Sequence, residues 1–215
     1  MSSKLNIDEL NIITYTDAEV EQWLDNYFRP LELPEEQIDD RKNAAIDFRD
    51  ILLFILLAVK TMEETMVIDW NRLTVELRSG FETVVRKYAR YDEFMRDFVR
   101  KAADDFMDVT RERVEEEGIY TRWTSDERAL PDAANYADMT LGYEEWQEAI
   151  DDGKTKKMWV SQRDGKVRHT HRLADGQTVP IKAMFRVGGT LLAYPCDPEG
   201  EPQEVINCRC HMVCT

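Results

Sequence analysis

The feature that most constrains the fold is the stretch 81–117, which contains neither glycine nor proline. Its apolar residues recur at steps of three and four, as they do on one face of an α-helix. This apolar face consists of Val84, Val85, Tyr88, Tyr91, Phe94, Met95, Phe98, Val99, Ala102, Phe106 and Val109. The spacing predicts one long amphipathic helix, or two in series, ended by Gly118. We expect so long an apolar face to contact a partner protein or a second copy of the chain.

Further helices are predicted on the N-terminal side of this stretch. Thr16 and Glu19 have the spacing of a capping box and predict a helix that continues to Phe28. Asp39 or Asp40 is expected to cap a second helix, which would end near residue 66. These signals predict a mainly helical N-terminal region.

The segments that flank the long stretch are predicted to be shorter. A third helix is expected over 69–78, with Gly80 as its end signal. Residues 119–142 are expected to be rich in loops around Pro131, because proline interrupts a helix. A short last helix is predicted over 143–150.

The character of the sequence changes at Gly153. From there on, short β-prone segments alternate with turn signals, and strands are predicted at 157–160, 166–170, 178–181, 190–194 and 204–208. The predicted fold is therefore α+β, with a helical region at 1–150 followed by a small β-rich module at 151–215. So small a module would gain stability from a metal ion that holds it together.

Charge also divides the chain. The net charge is −15, and residues 1–150 carry 18 Lys and Arg against 35 Asp and Glu, whereas residues 151–215 carry 10 against 8. The acidic region would repel a phosphate backbone, so we do not expect it to bind nucleic acid. The longest apolar run, 51–59, is much shorter than the roughly 20 residues of a membrane span and is predicted to be a buried helix.

All four cysteines lie within the last twenty residues: Cys196, Cys208, Cys210 and Cys214. The N-terminal residues lack the features of a secretory signal, so we expect reduced thiols. A cluster of reduced cysteines is more typical of a metal site than of disulfide bridges.

Two pairs of ligand residues have a spacing of two. His169 and His171 would share one face of a strand, and so would Cys208 and Cys210. Two imidazoles and two thiolates would form a closed, tetrahedral structural zinc site. His211, Cys214 and Cys196 are alternative ligands. The other interpretation, buried cysteines and exposed histidines in a module that folds without metal, stays open.

Catalytic interpretations of the same residues have less support. The residue types permit a cysteine–histidine nucleophile pair or an Asp164–His171 pair. They also permit the site of a metal-dependent nuclease or hydrolase, built from these residues and His169. The chain has no phosphate-binding glycine loop, no GxSxG and no HExxH motif. We therefore expect a protein that is not an enzyme.

A longer pattern runs through the C-terminal module. Its positions are Trp159, Asp164, Arg168, His171, Gly176, Phe185, Asn207, Cys208 and Cys210. With these residues in this order, the module resembles the phage Mu F-like minor head protein family, also called the phage head morphogenesis domain. His169 is not among them, which leaves the fourth zinc ligand open.

The resemblance implies a structural minor capsid protein of a tailed phage or prophage. Such a protein would act in head morphogenesis, contact the portal or the major capsid protein, and lie in the virion head interior after assembly in the host cytoplasm. A protein that contacts DNA and is packaged with the genome is a further alternative, which the small positive balance of the C-terminal module permits.

Overall fold

The computed structural model describes residues 14–64 and 67–215. The helices in these ranges are α1 (Asp17–Phe28), α2 (Glu35–Glu64), α3 (Trp70–Tyr88), α4 (Glu93–Glu117), α5 (Asp126–Asp151), α6 (His169–Ala174) and α7 (Pro202–Val205). The strands are β1 (Lys156–Ser161), β2 (Thr178–Pro180), β3 (Phe185–Val187), β4 (Thr190–Leu192) and β5 (Cys210–Cys214). The predicted α+β fold is confirmed.

The first two helices begin at clear local signals. In α1, the Glu19 N–H donates to Thr16 Oγ1 over 3.3 Å and the Thr16 N–H donates to the Glu19 carboxylate over 2.8 Å, which confirms the capping box. Helix α2 begins directly after Pro34, whose carbonyl accepts the N–H of Ile38 over 3.1 Å. The predicted start at Asp39 or Asp40 is therefore wrong, and the predicted end near residue 66 lies outside the described residues.

The break between α3 and α4 lies further along the chain than predicted. Helix α3 continues through Gly80, where a Cβ atom would lie only 2.5 Å from Cγ2 of Ile51 on α2. The glycine thus permits a close helix–helix approach and does not end the helix. Asp92 caps α4 by accepting the Met95 N–H over 3.1 Å, and Gly118 ends α4 as predicted. The alternative of two helices in series is the correct one.

Most of the apolar face of α4 is covered within the chain, although Val109 is 37% exposed. It packs mainly against α3, and Phe98 and Phe106 are almost completely buried. The argument that this face needs a partner protein because the chain cannot cover it is therefore wrong.

Helix α5 corrects the prediction of a loop around Pro131 and includes the short helix predicted over 143–150. The proline is the sixth residue of the helix and removes one backbone hydrogen bond, at a cost of up to about 3 kcal/mol. Helix α5 is the central element: it packs on α2, and Leu130, Ala133, Ala134 and Ala137 are fully buried. This burial offsets the unfavourable proline.

The C-terminal module contains a three-stranded antiparallel sheet in the order β2-β1-β5 and a separate β3–β4 hairpin. Two predicted strands are wrong. At 166–170, the Asp164 carboxylate accepts the N–H groups of Lys166 and Val167, at 2.8 and 3.1 Å, which forms a turn that leads into α6. At 204–208, Pro202 starts the short helix α7, and β5 begins only at Cys210.

Contacts join the module to the helices. The Asn207 N–H donates to Asn135 Oδ1 on α5 over 3.0 Å, and the Trp146 indole donates to the Ile181 carbonyl over 2.8 Å. One continuous cluster of buried apolar side chains extends across both regions. The assignment of 1–150 and 151–215 as separate domains stays a prediction. Within the described residues, no helix combines the length and apolar character needed to cross a membrane.

Candidate metal centre

Three of the predicted metal ligands meet in the interior of the C-terminal module. The donor atoms of His171, Cys208 and Cys210 all lie within 4.8 Å of one another, and all three side chains are buried. His171 Nδ1 lies 3.4 Å from Cys210 Sγ and 3.6 Å from Cys208 Sγ. This group could hold a metal ion.

The distances fit tetrahedral zinc. A zinc–sulfur bond is about 2.3 Å long and a zinc–nitrogen bond about 2.05 Å. At the tetrahedral angle, the sulfur and nitrogen atoms bound to one zinc ion are therefore about 3.6 Å apart. Both observed nitrogen–sulfur distances agree with this value to about 0.2 Å. The same distances are also compatible with a hydrogen bond between imidazole and thiol, so the geometry alone leaves both interpretations available.

Helix α6 selects one histidine of the predicted pair. Neighbouring residues are turned by about 100° around a helix, so His169 and His171 point to nearly opposite sides. His171 faces the interior with 1% of its surface exposed, whereas His169 is exposed to solvent. The prediction that both histidines bind one ion depended on a strand and is wrong.

The two cysteines reach the centre from a turn and from the start of a strand. Asn207 has a left-handed backbone conformation, with φ of 54°, and turns the chain directly before Cys208. Cys210 is the first residue of β5 and pairs with Ser161 of β1. The two thiols therefore approach His171 together, although Cys208 precedes the strand.

Glu204 contacts His171 at Nε2, the ring nitrogen that faces away from the two cysteines. The sequence did not indicate this role. The Glu204 carboxylate lies 3.0 Å from His171 Nε2 and accepts the Thr170 hydroxyl over 2.8 Å. Gly188 leaves the space for this carboxylate, since a Cβ atom there would lie 2.6 Å from Glu204 Oε1. A carboxylate on Nε2 leaves Nδ1 free to bind a metal, an arrangement common around zinc-bound histidines.

The three buried thiols affect one another's protonation. The neighbouring Cys196 and Cys210 thiols lower the pKa of Cys208, and His171 lowers it further. The pKa values of Cys196 and Cys210 are raised, above all by their hydrogen bonds to Cys208 and by burial. The cluster therefore favours one thiolate, located on Cys208, as long as no cation is present.

The alternative ligands differ in position. Cys196 is fully buried beside Cys208 and its thiol donates to the Cys208 carbonyl over 3.2 Å. His211 is half-buried, and burial followed by the positive charge of Arg41 lowers its pKa. Cys214 lies at the far end of β5, opposite Lys157. Of these three residues, only Cys196 is in contact with the centre.

The remaining residues of the matched pattern surround the centre. Trp159 packs edge-on against His171 with ring centroids 5.6 Å apart, and Phe185 packs against Trp159 at 5.3 Å. The N–H of Gly176, which has φ of 78°, donates to the Trp159 carbonyl over 2.8 Å. Trp159 thus forms an apolar wall against His171, and Phe185 and Gly176 hold Trp159 in place.

The polar residues of the pattern hold the loops beside it. Asp164 forms an ion pair with Arg209 at 2.9 Å, and Arg168 donates to the Ile206 carbonyl. The proposed catalytic pair of Asp164 with His171 is therefore not formed, because the carboxylate partner of the histidine is Glu204.

No protein-family model matches the chain, and comparisons with curated proteins and with solved structures gave no match either. The functional interpretation therefore depends on the geometry of this centre and on the pattern of residues around it.

Proposed function

We propose that the chain is a structural protein of phage head assembly whose C-terminal module is held together by one zinc ion. The observation that carries the proposal is the arrangement of the matched residues. The donor atoms of His171, Cys208 and Cys210 lie within 4.8 Å of one another, Trp159 packs against His171, and Phe185 packs against Trp159. This arrangement supports a structural role for the matched residues.

The donor set favours zinc over other abundant ions. Thiolate and imidazole ligands suit zinc, whereas magnesium and calcium require oxygen ligands. A structural zinc site needs a fourth protein ligand, and the Cys196 thiol is the candidate because it is buried and donates to the backbone carbonyl of Cys208. The Cys196 Sγ lies outside the group of donor atoms that are within 4.8 Å of one another, so metal binding would have to draw it closer. We propose a site of three cysteines and one histidine.

Metal analysis of the purified full chain tests this site. We expect about one zinc per chain, and substitution by cobalt should give the charge-transfer absorption of thiolate ligands. C208S and C210S should lose the metal, and C196S should retain it more weakly with a less intense thiolate band. C214S is the matched control, since Cys214 lies outside the centre, and it should behave as the unmodified chain. Metal-free, reduced protein that melts as a folded chain would contradict the zinc proposal.

The role in the phage head is supported by the resemblance and by the fit of its residues to one structural unit. We propose that the portal or the major capsid protein is the partner. The chain should be detected by mass spectrometry in purified procapsids of the source phage, and it should co-purify with the coexpressed portal or major capsid protein. Its absence from procapsids and from mature heads, together with no binding to either protein, would reject this role.

A further inference from the structure

A cavity of about 210 Å³ opens beside the metal centre and has a cationic wall. Lys166, Arg168 and Arg209 line it, and His171 and Cys210 form part of the same wall. The volume is far above the 10–15 Å³ that a single water molecule needs, so a small ligand fits.

The charge of this cavity is opposite to that of the rest of the chain. No carboxylate lines it, although the chain carries a net charge of −15. In four other cavities of the described residues, the carboxylates equal or outnumber the cations. Asp164 pairs with Arg209 from outside the lining, whereas Lys166 and Arg168 form no ion pair with a carboxylate among the described residues.

The cationic groups retain free donors. The ammonium group of Lys166 is exposed and has no partner among the described residues, and Arg168 uses one amino group on the Ile206 carbonyl. Arg209 holds Asp164 through Nη1 and Nη2. An ammonium and two guanidinium groups around one space are the usual recognition elements for phosphate.

We propose that this cavity binds a phosphate group, either inorganic phosphate or a phosphate monoester. The two lining cations that lack a carboxylate partner, Lys166 and Arg168, match the charge of a phosphate dianion. The cavity and its three cationic side chains are sufficient for this site, and no metal ion is required.

The test is a calorimetric titration of the full chain with inorganic phosphate and, separately, with glycerol phosphate, at constant ionic strength. We expect one saturable site for at least one of the two ligands, and the tighter ligand identifies the source of the phosphate group. K166Q and R209Q should each weaken binding about tenfold, the value of one hydrogen bond to a charged group. K154Q removes the same charge from an exposed lysine outside the cavity and should leave binding unchanged.

The readouts separate this proposal from the zinc proposal. K166Q should retain the metal content of the unmodified chain, since Lys166 is not a ligand. Absence of saturable binding by both ligands, or an equal loss in K154Q, would overturn the phosphate site. Saturable binding by metal-free protein would support it even if the zinc site fails.

Discussion

The ion pair between Arg49 and Asp126 anchors the central helix α5, and we predict that Asp126→Asn strongly destabilises the chain. Arg49 donates to the carboxylate through Nε at 2.6 Å and through Nη2 at 2.5 Å, and the Tyr15 N–H donates to the same carboxylate at 2.7 Å. The Asp126 side chain is fully buried and that of Arg49 is 10% exposed. An amide in place of the carboxylate leaves the guanidinium without a buried countercharge.

The expected loss is about 3–5 kcal/mol of unfolding free energy, the usual cost of removing one partner of a buried ion pair. Asp126 is also the first residue of α5, where a negative charge contributes up to about 1 kcal/mol with the helix dipole. Asp50 also contacts Arg49, at 3.5 Å, but it is 66% exposed and replaces little of the lost interaction.

Urea unfolding followed by far-ultraviolet circular dichroism measures this loss, provided that the slope against urea stays constant. The matched control is Glu76→Gln, which breaks an exposed pair with Arg72 at 2.8 Å and should change stability little, because solvent screens such pairs. The double variant Arg49→Met with Asp126→Leu should recover most of the stability, because it leaves no unpaired charge. A loss below about 1 kcal/mol for Asp126→Asn, or a double variant as unstable as the single one, would refute the reasoning.

Three further predictions concern the C-terminal module. Burial lowers the pKa of Lys157 to about 8, so between pH 8 and 10.5 this residue holds a proton in the unfolded chain that it lacks in the native chain, and its own contribution to stability should rise with pH by up to about 3 kcal/mol. The buried thiols of Cys196 and Cys210, whose pKa values are raised, contribute with the opposite sign, so the test is a difference between two proteins. In urea unfolding at pH 7 and 10, Lys157→Met should gain stability relative to the unmodified chain at pH 7 and lose that advantage at pH 10, and a difference that is the same at both pH values would contradict this prediction. Gly188→Ala should lower the unfolding free energy by about 1–3 kcal/mol in thermal unfolding, because Gly188 has a φ of 58° and lies against Glu204. Gly189→Ala is the control and should be close to neutral, since a Cβ atom there would lie in open space; equal effects of the two variants would reject this explanation. Glu204→Gln should weaken zinc binding about 10- to 100-fold in competition with a chelator, and an unchanged affinity would show that the carboxylate does not support His171.

The sequence alone was sufficient where structure depends on near neighbours. The Thr16 capping box, the end of α4 at Gly118 and the first strand of the module were all predicted correctly. These features are set by hydrogen bonds and conformational preferences within a few residues. The change from helices to short strands near residue 153, and with it the α+β class, could be predicted for the same reason.

Predictions failed where a distant contact decides the local conformation. Gly80 and Pro131 resemble end signals of a helix, but α3 and α5 continue through them because each helix is packed against α2. Residues 166–170 have strand propensity but do not form a strand, because the Asp164 carboxylate accepts backbone N–H groups in a turn at this point. The same carboxylate pairs with Arg209 from a distant part of the chain.

In the group formed by His171, Cys208 and Cys210, too, the sequence determined one part and the tertiary structure another. The sequence determined that the C-terminal module carries imidazole and thiol ligands, since these are properties of the residues themselves. The tertiary structure decided which of them meet: α6 turns His171 inward and His169 outward, and α7 brings Glu204 to the far side of the imidazole. A spacing of two residues places side chains together on a strand and apart on a helix, so the choice of ligands was made by the packing that determined the secondary structure.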